Sequence, residues 1–159
     1  MKLRVLLVLL LTSCIDAQHG DAVSDLGPEI DGERPGPDHR AGQPCTTCHS
    51  GKGPGSPEFV MAGTVYAARE SLVAMPGVTV VMTDAHGSTV TSVSNRVGNF
   101  YIESSRWTPT YPVYVEMQYG SFTKAMKTPI GRNGGCGFCH QGVGDASHDP
   151  AVFLKDVGE

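Results

Sequence analysis

One five-residue pattern occurs twice in this chain, as Cys45-Thr46-Thr47-Cys48-His49 and again as Cys136-Gly137-Phe138-Cys139-His140. Any fold open to the chain must present two short turns, each offering two thiols and an imidazole, at either flank of the sequence between them. Chance does not repeat such a pattern within 159 residues, so both copies are read as one chemistry used twice.

CxxCH is the attachment motif of c-type haem. The two thiols add across the porphyrin vinyl groups, which requires them on one short turn, and the adjacent histidine reaches the iron. Both motifs resemble those of cytochromes c. That resemblance implies two haem c, held by Cys45, Cys48, Cys136 and Cys139 with His49 and His140 as proximal ligands. Three other chemistries use CxxC. A thioredoxin-like pair sits between a strand and a long helix, whereas Gly- and Pro-rich sequence surrounds both motifs here. A Cys₄ zinc site can be built from two CxxC knuckles, but zinc gives no reason for a histidine after each. Pairing within one motif strains a disulfide, and cross-pairing between motifs is left open by the sequence.

The start of the chain, MKLRVLLVLLLTSC, has two basic residues, an apolar run from Val5 to Leu11 and small residues before Cys14. Those are the parts of a secretory signal peptide, expected over 1–13. Seven apolar residues span about 10 Å as a helix, too short for a bilayer core of about 30 Å. LTSC resembles the bacterial lipobox, which implies lipidation of Cys14 and membrane anchoring by attached chains. Ile15, where an acidic residue would retain the protein at the inner membrane, implies an outer-membrane lipoprotein. The formal charge is −4, and without Lys2 and Arg4 ten basic residues face 16 acidic ones. That balance gives no electrostatic reason to bind nucleic acid or an anionic membrane surface.

Residues 14–44 are acidic, contain four prolines and carry almost no large apolar side chain. This composition predicts an extended, solvated tether. The first haem-binding segment is placed at 45–57. From Phe59 onward short β-branched runs alternate with turn signals, giving expected strands at 59–67, 78–84, 88–94, 99–103, 111–119 and 121–127. Turns are expected at Asp84-Ala85-His86-Gly87, Asn95-Arg96-Val97-Gly98 and Gly120. Six short strands in so few residues predict a mainly β fold, a small antiparallel β-sandwich over 58–128, flanked by loop segments that carry the motifs. The second haem-binding segment and tail occupy 129–159.

GTVY at 63–66, PGVTVVMTDAHGSTVTS at 76–92 and SNRVGNFYI at 94–102 resemble the carboxypeptidase regulatory-like domain, a transthyretin-like Greek-key sandwich. The resemblance implies a fold and no active site. Exposed edges of such sandwiches can pair with a second copy, which makes a homo-oligomer a candidate assembly.

Each iron needs a sixth ligand or keeps an open site. His39 lies six residues before Cys45, and His148 lies eight after His140. These are the candidate distal ligands, since a segment of that length can span a haem. His86 falls in a predicted turn and His19 in the tether. Met61, Met82 and Met117 read as core, while Met75 and Met126 stand as rival ligands. The expected function is electron transfer by a lipid-anchored dihaem cytochrome that exchanges single electrons with redox proteins of the envelope. Two alternatives stay open: an adhesion or scaffold module with structural metal at its CxxC pairs, and a haem enzyme or sensor with an open iron. No catalytic motif such as GxSxG, HExxH or a phosphate loop is present.

Overall fold

Short runs of Val, Thr and Ile, cut by glycine turns, pair into sheets in the order that period-two burial dictates. The computed structural model describes residues 17–29, 32–68, 71–141 and 152–155. A short helix, α1 (Ala17–Asp25), precedes ten strands. They are β1 (Phe59–Thr64), β2 (Tyr66–Ala68), β3 (Ser71–Ala74), β4 (Thr79–Thr83), β5 (Thr89–Val93), β6 (Asn99–Glu103), β7 (Tyr114–Tyr119), β8 (Phe122–Ala125), β9 (Gly134–Gly135) and β10 (Phe153–Lys155).

The sheets run in the orders β5-β4-β7-β8, β6-β1-β9 and β10-β2-β3. Consecutive pairs are antiparallel, whereas β9 joins β1 and β10 joins β2 in parallel. β4 shows why the pattern works: Val80 and Met82 point inward and are fully buried, between threonines and Val81 on the other face. Opposite them stand Met61, Phe100 and Ile102 from β1 and β6, so two layers close over one core with Trp107, Val113, Met117 and Leu154. Each fully buried side chain of this size contributes roughly 1.5–3 kcal/mol of burial free energy before conformational entropy opposes it. The fold is a small β-sandwich, as its alternation predicts.

Three departures have physical causes. The expected strand 59–67 breaks at Val65: its N–H still bonds to Gly98 O opposite it at 2.8 Å, but Gly98 N–H turns to Asn95 O at 2.9 Å, which ends the pairing with β6. β3 was not expected, because Leu72 and Val73 are exposed and show no buried alternation. The tether reading of 14–44 is corrected for the described part. Residues 17–25 are helical, and 37–42 are hydrogen-bonded to the sandwich, while 34–37 stay exposed. Met61, Met82 and Met117 are core residues, and Met126 is exposed. Cys14, the signal segment and His148 lie outside the described residues. Among the described residues no helix is long and apolar enough to cross a membrane.

Candidate functional site

The two CxxCH motifs fold alike. Each opens after an extended residue, Pro44 or Gly135, and forms a single 3-10 turn. Cys48 N–H donates to Cys45 O at 3.2 Å and His49 N–H to the same oxygen at 3.0 Å. In the second motif Cys139 and His140 donate to Cys136 O at 3.2 and 2.9 Å. Even the first thiols match, each near the carbonyl two residues back: Cys45 Sγ to Gln43 O at 3.5 Å, Cys136 Sγ to Gly134 O at 3.8 Å.

Strand β1 brings the turns side by side. Phe59 N–H donates to His49 O at 2.7 Å, which fixes the first turn at the head of β1. The second turn follows β9, whose two glycines pair with Met61 and Ala62 of the same strand. The turns then touch. A Cβ on Gly135 would collide with Thr46 Oγ1, and one on Gly137 would stand 3.0 Å from Pro44 Cα. Glycine at these positions therefore serves close approach, and the repeated motifs meet although 91 residues separate their first cysteines.

Burial shapes the thiols. Loss of hydration pushes Cys45 up to about 11, and a neighbouring Cys48 thiolate would push it further. Burial pushes Cys136 up to about 12, with the nearby Cys45 thiol adding to it. A redox nucleophile needs the opposite shift. Both sulfurs favour a neutral state, which a thiol or a thioether supplies. Nor do the four thiols converge: among the described residues no three His, Cys, Asp or Glu side chains are placed to share a metal ion.

A cavity of about 380 Å³ is lined by Cys45, Cys48, His49 and His39. His49 is 6 % exposed, and its ring stacks on Phe59 at 4.2 Å, which in turn stacks on Tyr101 at 4.5 Å. Its Nδ1 lies 2.6 Å from Pro57 O. A carbonyl only accepts, so Nδ1 carries the proton and Nε2 keeps its lone pair for a metal. The His39 and His49 ring centroids are 5.9 Å apart. Two imidazoles facing each other across one metal ion have centroids about 6 Å apart, from two bonds of about 2 Å and two ring half-widths. His39 presently accepts at Nδ1 from Gly36 N–H at 3.2 Å. Binding through Nε2 requires that bond to break, at a cost of about 1 kcal/mol.

The His39 loop is clamped by the β5–β6 turn. Asn99 Nδ2 donates to His39 O at 3.0 Å and Pro37 O at 3.2 Å, and Asn95 Nδ2 donates to Pro37 O at 2.6 Å. Arg96 Nε pairs with Asp38 at 2.7 Å. Arg40 holds the other side of the loop through Leu26 O, Gly27 O and Glu29. The sequence shows Asn95 and Asn99 only as turn residues, because side-chain donors to distant carbonyls leave no periodic signal.

The second motif faces a smaller cavity of about 230 Å³, lined by Cys136, His140, Tyr66, Leu72 and Val152. Burial raises the Tyr66 phenol above its ordinary value, and the Cys45 thiol adds to the shift. His86 sits in the β4–β5 turn, where Asp84 Oδ1 accepts from its N–H and from Ser88 N–H at 2.9 Å each. His19 is half-buried in α1 rather than solvated.

Fold and site together define a small β-sandwich that presents a matched pair of CxxCH turns along one strand. No family model, no curated protein and no solved structure matches the chain.

Proposed function

We propose that the protein is an electron carrier of the cell envelope, a dihaem c-type cytochrome tethered by a lipid on Cys14. The observation that carries this reading is the convergence of Cys45, Cys48, His49 and His39 on one cavity, with the His39 and His49 rings 5.9 Å apart. When bound, haem c supplies an iron that cycles between ferric and ferrous by one electron. The chain's residues do the rest. Cys45 and Cys48 would hold the first group, His49, oriented by Pro57 O, would ligate it, and His39 would be the second imidazole available to it. Cys136, Cys139 and His140 hold the second, with His148 as its distal candidate. The contact between the two turns supports a two-centre relay that passes electrons between redox proteins of the envelope.

The test is maturation in a host competent for cytochrome c assembly, followed by a pyridine haemochrome spectrum and mass measurement. Two covalent haems per chain are expected, falling to one in Cys45→Ser/Cys48→Ser. Bound zinc with no covalent haem would refute the reading.

A further inference from the structure

A third cavity, of about 760 Å³, lies on the far side of the first motif turn. Its size falls in the range of small-molecule sites. Aromatic side chains wall it: Phe59, Trp107 and Tyr111. Thr46 and Ser50 also line it, and Thr46 Oγ1 and Ser50 Oγ are buried without a hydrogen-bond partner among the described residues. Thr46 is 7 % exposed. A buried hydroxyl left unpaired costs about 1–3 kcal/mol, and a bound ligand that pairs with it recovers that cost. Glu58 and Arg132 stand at its exposed rim, and Gln18, His19 and Asn133 add polar lining.

We infer that this cavity binds a small, neutral, planar ring bearing oxygen, a quinone or its hydroquinone, as the electron-carrying partner of the adjacent motif. Ring faces suit Phe59, Trp107 and Tyr111. One ring oxygen suits the Thr46 and Ser50 hydroxyls, which can donate to a carbonyl or accept from a phenol. Phe59 decides the placement, because its ring belongs to this cavity and also stacks on His49 at 4.2 Å. The inference rests on the proposed function for its electron acceptor. Oxidation of a hydroquinone breaks two O–H bonds and releases two protons and two electrons. The protons would leave to Glu58 and solvent at the rim, and the two electrons are the number that two haems, if held by the two motifs, would take up one each.

The experiment uses the oxidised holoprotein and menadione, with binding followed by calorimetry so that no turnover is involved. Saturable 1:1 binding is expected, weakened about tenfold or more in Thr46→Val/Ser50→Ala. Among the described residues neither hydroxyl makes a hydrogen bond, so the variant should melt no lower than the native protein; Ser50→Ala alone is the milder check. Reduction by menadiol should saturate with concentration in the native protein and become linear in the variant, while reduction by dithionite stays unchanged. Absence of menadione binding, or equal binding by the variant, overturns the inference even when two covalent haems are present. Absence of haem itself overturns the proposed function instead, and menadione binding to that protein would still be read against the same variant.

Discussion

Replacing Asn99 by Ala should release the His39 loop while leaving the sandwich folded. Asn99 is 6 % exposed and donates two hydrogen bonds to the loop, at 3.0 Å to His39 O and 3.2 Å to Pro37 O. Its Oδ1 also accepts from Thr64 Oγ1 at 2.7 Å, and Thr64 Oγ1 accepts from Gly42 N–H at 2.8 Å. At about 1 kcal/mol net for each lost donor bond, docking weakens by about 2 kcal/mol, a factor of about 30. The Asn95 and Arg96 contacts remain, so the loop opens more often rather than permanently. Amide hydrogen exchange reads this directly: protection at His39 and Gly42 should fall by about 30-fold, with Val80 and Met117 in the central sheet nearly unchanged. With haem bound as proposed, carbon monoxide should bind the reduced first centre faster by a similar factor. If protection at His39 and Gly42 stays within threefold of the native value, Asn99 does not hold the loop and the clamp argument fails.

Three further outcomes test other parts of the structure. In haem-free protein at pH 8, Cys45, pushed up to about 11, should alkylate about 100-fold more slowly than a solvated thiol titrating at 9.0; comparable rates would refute its burial. Gly135→Ala should force Thr46 and the Phe138 ring away, lowering stability by about 1–3 kcal/mol in a urea titration. Backbone N–H groups of Thr110, Ser88 and His86 hold the Asp84 carboxyl below its ordinary value, chiefly through Thr110. That stabilisation is complete above 3.8 and is lost as pH falls through the lower folded value, so native and Asp84→Asn melting temperatures should converge in acid.

The strands that alternate were legible in the sequence. β4, β5 and β6 lie inside their expected ranges because Val80, Met82, Phe100 and Ile102 announce a buried face, and the Asn95–Gly98 turn announces the connection. The helix Ala17–Asp25 was not, since most of its side chains are exposed and carry no apolar stripe. The motif residues were legible one by one, but their adjacency was not. It depends on a two-glycine strand, Gly134–Gly135, too short and too featureless to signal a pairing 73 residues away with Met61. His39 was a candidate by distance along the chain alone; the donors of Asn95, Asn99, Arg96 and Arg40 give its loop a fixed place.

That two-glycine strand has a consequence beyond placing a turn. Among the described residues it covers the side of β1 that β6 leaves bare. A chain cut ahead of residue 134 would expose the backbone of Met61 and Ala62 as a ready template for a foreign strand. Damage to the second motif segment would then show as aggregation, so this segment also shields an open β edge.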